Sequence, residues 1–156
     1  MYEKNLRSNL LELLDGGSAH VSLKDGLSGI QPENRHKKAE PVEKTIWEHL
    51  EHMRIAQKDI LDYTLSQEWE SMNWPDDYWP DPATSLTESM WEKTLGDFFA
   101  DLQKIKDLVN DEKVDLTSEI PWGEGRTYLR QVLLIADHNS YHISKILTVR
   151  KILKNW

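Results

Sequence analysis

The sequence predicts an all-α protein, a four-helix bundle with long crossover connections. Three observations carry this prediction. Four segments repeat apolar residues at the three-and-four spacing of a helix, and none shows sustained strand-type alternation. The stretch joining the first two segments is too long for a simple up-down hairpin.

The first segment runs from Tyr2 to about Leu14, with Leu6, Leu10, Leu13 and Leu14 on one stripe and Gly16-Gly17 as a stop. A second runs from about Val42 to Leu65. Ile46, Leu50, Met53, Gln57, Ile60, Leu61 and Thr64 share one arc there, and Pro41 suits its first turn. The third opens at SLTE, which reads as a capping box with Ser85 as N-cap and Glu88 reaching back. Trp91, Leu95, Phe98, Leu102, Ile105 and Val109 then form a bundle seam. The fourth runs from about Glu124 to Leu153, with Leu129, Val132, Leu133, Ala136, Ile143, Ile146 and Leu147 on one side. Residues 15–43 form the long crossover. Residues 68–84 pack three Trp, a Tyr and three Pro into a turn-rich stretch, suited to lidding the core or lining a pocket.

Composition narrows the function. At 156 residues, the chain is read as one domain spanning 1–156. It has no cysteine, so thiolate ligands, disulfides and a Cys nucleophile are excluded, and a cytoplasmic setting is compatible. The N-terminal apolar run is short and broken by Glu12, reading as neither signal peptide nor membrane span. A net charge of −8 without a basic stripe argues against nucleic-acid binding. Arg150, Lys151 and Lys154 close the last helix, where cations meet the dipole favourably.

The histidines carry the candidate chemistry. His138 and His142 in DHNSYHISKIL are four apart, so on a helix their directions differ by only about 40°. They lie on the shoulder of the apolar arc, where a groove beside a neighbouring helix can open. HxxxH alone is a weak signal, and it lacks the glutamate of the zinc-protease motif. TIWEHLEHMRIAQ in the second segment offers two further imidazoles. Burial gives His49 a core role, whereas His52 sits on a shoulder matching that of the pair. Three neutral imidazoles from two helices, with positions left open, suit Zn²⁺, Ni²⁺ or Fe²⁺. Asp137 is a candidate partner for a ligand imidazole or for a surface ion pair. Tyr141 and Trp122 are candidates for lining the pocket or for packing. His20 and His36, among Gly, Ser and Lys, read as surface residues.

EHMRIAQKDIL (51–61), WPDDYWP (74–80) and ADHNSYHISKILTVRKIL (136–153) together resemble the DinB-like family, the DinB/YfiT-like metalloenzymes. The resemblance spans nearly the whole chain in helix order and spacing, and DHNSYH is its most specific part. It implies a four-helix bundle with a divalent metal on one His of the second helix and both of the HxxxH, here His52, His138 and His142. Ser144 and Lys145 stand where relatives often have Gly and Gln, and His49 where an apolar residue is expected. The resemblance further implies a homodimer, a small-molecule substrate and a metal-dependent activity of hydrolase or thiol-transferase type, the latter using a low-molecular-weight thiol. No general base or nucleophile is recognisable beside the histidines. The competing expectation is therefore a non-catalytic, stress-associated binding module with a structural or vestigial metal site.

Overall fold

The computed structural model describes residues 2–156. They form six α-helices: α1 (Tyr2–Asp15), α2 (Leu23–Leu27), α3 (Pro32–Arg35), α4 (Ile46–Leu65), α5 (Glu88–Asn110) and α6 (Tyr128–Ile152). The protein is 61% helical, and strand-type pairing among the described residues is limited to two isolated bridges. Among the described residues, no helix is long and apolar enough to cross a membrane.

The four expected segments correspond to α1, α4, α5 and α6. The long crossover adds two short helices, which periodicity over so few residues does not reveal. α4 packs along both α5 and α6, and α1 closes against the same two. One apolar core joins them, with Leu50, Met53, Phe98, Ile105, Val132 and Ile146 fully buried. Within the crossover, α2 lies on α6. That approach requires glycine at position 26, because a Cβ there would sit 2.7 Å from Ile143 Cδ1, well inside van der Waals contact. Buried Arg150 fastens the same contact by donating Nη1–H to the Gly26 carbonyl at 2.7 Å.

Three helix starts differ from the sequence reading, each for a local reason. α4 begins at Ile46 rather than about Val42, because Thr45 and Glu48 form the capping box. Glu48 N–H donates to Thr45 Oγ1 at 3.2 Å, and Thr45 N–H donates to Glu48 Oε2 at 2.8 Å. Pro41 accordingly lies ahead of the helix rather than in its first turn. α5 is capped by Thr87, not Ser85, with Met90 N–H donating to Thr87 Oγ1. Glu88, the expected box partner, instead pairs with Arg35 at 2.6 Å. α6 cannot start at Glu124, since Glu124 and Gly125 have φ of 51° and 83°, outside the right-handed helical region. It starts at Tyr128 behind the Thr127 cap.

A buried polar brace fixes how α4, α5 and α6 meet. Gln57 on α4 donates Nε2–H to the Phe98 carbonyl on α5 at 2.7 Å. Its Oε1 accepts from Asn139 Nδ2 on α6 at 2.9 Å. Gln57 falls on the apolar arc in the sequence, and this brace is what satisfies it there. Asn139 lies between His138 and His142 on α6, so the brace sets their register against α4.

Candidate metal centre

The shoulders of α4 and α6 bring His52, His138 and His142 together. Their ligand-capable nitrogens all lie within 4.8 Å of one another. His52 and His142 are buried and His138 is half-buried. The Nε2 atoms of His52 and His138 are 3.1 Å apart. Two nitrogens bonded to one ion at 2.0–2.1 Å in a tetrahedral arrangement would be roughly 3.3–3.4 Å apart, so this spacing fits a shared ion with little adjustment.

Tautomers can be argued from the partners. His52 Nδ1 lies 2.7 Å from the Tyr78 carbonyl, which only accepts, so Nδ1 carries the proton. The Nε2 lone pair of His52 is thereby turned toward His138. Outer-shell contacts of this kind hold metal-ligating imidazoles in orientation. Tyr78 belongs to the aromatic loop, at the end of a short 3-10 turn spanning Asp76–Tyr78. The loop is anchored to α4 through Asp59, which accepts Tyr78 O–H at 2.7 Å and Trp69 Nε1–H at 2.8 Å. Trp79, the next residue, stacks flat on His52.

His49 joins the cluster from beneath. Its Nδ1 is 3.2 Å from Nδ1 of His142, so one ring donates and the other accepts. If His142 is to offer Nε2 as a ligand, its Nδ1–H donates and His49 accepts. His49 then carries its own proton on Nε2, a buried atom without a protein partner.

Burial sets the charge state. His142 is pushed down to about 3 by burial first, then by His138, His52 and His49. Burial and His52 push His138 to about 4, against the opposing charge of Asp137. Burial and His52 likewise bring His49 to about 4. Burial also lowers His52, opposed by its bond to the Tyr78 carbonyl. At neutral pH the cluster is therefore uncharged, and a cation requires only that His138 move its proton from Nε2, where it donates to His52 Nε2, to Nδ1.

A cleft of about 490 Å³ opens beside the histidines, walled by Trp74, Trp79, Leu134 and Tyr141. Trp74 and Tyr141 are exposed at its rim. The aromatic loop thus lines a pocket as well as covering the bundle. Of the flanking candidates, Tyr141 lines this cleft, while Trp122 packs elsewhere, donating Nε1–H to the Tyr63 carbonyl at 2.8 Å. Asp137 also lines it and takes neither expected role, forming no ion pair or hydrogen bond among the described residues; its effect is through its charge on His138. His20 and His36 are exposed.

The sequence reading selected the three clustered histidines and missed two contributors. The Tyr78 carbonyl has no side-chain signature and is brought in by a loop distant in sequence. His49 was placed in the core, where it is, but its contact with His142 depends on the helix-pair geometry. A histidine on an otherwise apolar arc was the available signal. Compared with protein-family models, with curated proteins and with solved structures, the chain matches none.

Proposed function

We propose that His52, His138 and His142 hold one divalent cation, Zn²⁺, Ni²⁺ or Fe²⁺, at the base of the aromatic cleft. On this reading, the protein is a DinB-like four-helix bundle acting on a small molecule as a metal-dependent enzyme of hydrolase or thiol-transferase type. The observation that carries the reading is convergence beside an opening: three neutral, oriented imidazoles from two helices border a cleft large enough for a ligand. When bound, the cation supplies Lewis acidity toward an oxygen or sulfur of the substrate. The chain's own residues orient the imidazoles through Tyr78, Trp79 and His49, and aromatic side chains wall the site.

The lining favours chemistry that makes few demands on side-chain acids and bases. Asp137 is the only carboxylate and Tyr141 the only hydroxyl among the lining residues. This sparseness fits activation of an incoming low-molecular-weight thiol, and it equally supports the competing reading of a non-catalytic, stress-associated module with a structural or vestigial metal site. The net charge of −8 supports a small-molecule substrate over nucleic acid. A homodimer in a cytoplasmic setting completes the proposal.

Elemental analysis of protein purified without chelator or immobilised nickel tests the metal directly. The expected stoichiometry is about one ion per chain, falling to near zero in His138→Ala. No metal uptake after incubation with Zn²⁺, Ni²⁺ and Fe²⁺, or unchanged content in the variant, would sink the reading. Metal bound without turnover of any thiol or hydrolysable substrate would favour the non-catalytic module.

A further inference from the structure

Trp74 and Tyr141 line the cleft over the three histidines while remaining 73% and 58% exposed. They come from separate elements, the loop of residues 68–84 and α6. Trp79 and Leu134 complete the apolar lining. We propose that this cleft selects a small molecule in which a metal-binding head is joined to an uncharged apolar body, aromatic or branched aliphatic, over molecules whose body carries a charge. The metal of the reading above anchors the head, and the inference rests on that reading; the body is what the rest of the cleft recognises.

Free ring surface distinguishes the wall residues. Trp79 has little to offer, because His52 stacks on its ring and Lys44 lies 5.0 Å above it. Trp74 meets Tyr78 edge-on at 5.2 Å and is otherwise open. Tyr141 meets His142 edge-on and carries Lys145 at 5.1 Å over its ring, yet keeps more than half of its surface. Trp74 and Tyr141 therefore hold the apolar area that a ligand can remove from water, and burying aromatic area contributes strongly to binding. Size agrees with this. An apolar cavity of about 150 Å³ accommodates benzene. The cleft, at about 490 Å³, leaves room for a ring, a short linker and the head.

Charge selects the body. Asp137 is the one carboxylate of the lining, exposed and without an ion pair or hydrogen bond among the described residues. No lysine or arginine lines the cleft, whose remaining lining side chains are histidines. An anionic body would enter beside Asp137 with no cationic side chain in the lining to receive it, and juxtaposed like charges cost affinity. Lys44 and Lys145 line the neighbouring cleft instead, where Lys44 pairs with buried Glu48 at 3.0 Å. Their ammonium groups, over the rings of Trp79 and Tyr141, oppose a cationic body in turn. A thiol or ester with a benzyl or isobutyl body suits the cleft, and one whose body bears carboxylates does not.

Hydroxamates share one metal-binding head and differ in the body, so calorimetry with the Zn²⁺-loaded full chain separates the two contributions. Phenylacetohydroxamate is expected to bind about tenfold or more tighter than acetohydroxamate, through burial of its ring. Succinic monohydroxamate and β-alanine hydroxamate, with anionic and cationic bodies, should bind no tighter than acetohydroxamate. Trp74→Ala and Tyr141→Ala should each cut the phenyl preference about threefold or more and leave acetohydroxamate within about twofold. Tyr2→Ala, which removes an exposed aromatic ring outside the cleft, should change neither. Acetohydroxamate binding without a gain from the phenyl group, or a gain that persists in both cleft variants, would overturn the proposal and leave the metal reading intact. Tighter binding of either charged hydroxamate than of acetohydroxamate would overturn it as well. For a chain that takes up no Zn²⁺, benzyl alcohol titrated into the metal-free protein decides, followed through the aromatic ring resonances by NMR. Saturable shifts at Trp74 and Tyr141 would then support the apolar site and remove only the metal reading, and their absence would remove both.

Discussion

Trp79 lies flat on His52, with ring centroids 3.9 Å apart and planes within 4° of parallel. The carbonyl of the adjacent Tyr78 takes the Nδ1–H of the same imidazole. One dipeptide from a loop thus fixes both the plane and the tautomer of a candidate ligand on α4. Trp79→Ala is expected to lower Zn²⁺ affinity by about tenfold, in the range usual for outer-shell partners, while leaving the helical content unchanged. Trp79→Phe should retain most of the affinity, since stacking survives. Competition with a chromophoric chelator measures both, and equal affinity in wild type and Trp79→Ala would show that the stack is packing alone.

The dipeptide is held in place by Asp59, so disruption one step further out should loosen the loop before it affects the bundle. Asp59→Ala leaves the Tyr78 hydroxyl and Trp69 indole N–H without their acceptor. The cost is about 1–3 kcal/mol, concentrated in residues 68–84. Burial and the Asp59 contact both raise the Tyr78 pKa, so the hydroxyl remains a donor across the accessible range. Hydrogen exchange and limited proteolysis should accelerate in this loop, with α4, α5 and α6 retaining their protection. Global rather than local loss of protection would contradict this division.

The brace of Gln57 and Asn139 makes a different prediction, about stability rather than the loop. Gln57→Leu strands Asn139 Nδ2 in the interior and removes the second donor from the Phe98 carbonyl, which keeps its helical bond. Urea denaturation should show a loss of about 2 kcal/mol or more with an unchanged m-value. Gln57→Leu combined with Asn139→Leu should recover part of this, because removing both partners costs less than orphaning one. If the double variant is as unstable as the sum of the singles, the two residues are not acting as a pair.

What the sequence made legible follows from which forces act locally. The seam of α5 is written in Trp91, Phe98, Leu102, Ile105 and Val109, all buried as their spacing requires. The pairing of His138 with His142 is a property of one helix and could be read from four-residue spacing. Their meeting with His52 needed a match between two shoulders, which the amphipathic pattern supplied. Thr87 displaced Ser85 as a cap because two hydroxyl residues two positions apart compete for one role and only backbone geometry decides between them. The Tyr78 carbonyl, the Trp79 stack and the His49–His142 contact are long-range consequences of packing. No spacing rule encodes them, since each depends on where a connection lands once the helices have closed.

The buried imidazoles predict how the metal-free protein responds to acid. Above about pH 6.5 they are neutral whether folded or unfolded, and contribute no pH dependence. Below it the unfolded chain takes up protons, while the folded values of about 4 for His49 and His138, and about 3 for His142, delay uptake in the native state. The unfolded state then binds more protons, so stability falls as pH falls, by up to about 1.4 kcal/mol per pH unit for each such histidine. The interval from pH 6.5 to 5 isolates this effect, because carboxylates with lowered values, such as Glu48, titrate below it. Calorimetry at fixed ionic strength should give a Tm that is level from pH 8 to 7 and declines steadily to pH 5. Saturating Zn²⁺ should raise the Tm at pH 7 through binding to the folded state, with an increment that shrinks as protons compete for the same lone pairs. Replacing His138 and His142 by Asn should lessen the decline, leaving the part due to His49 and His52, and abolish the Zn²⁺ increment. A decline that persists unchanged in that variant would trace the acid sensitivity to other groups and separate it from the metal centre.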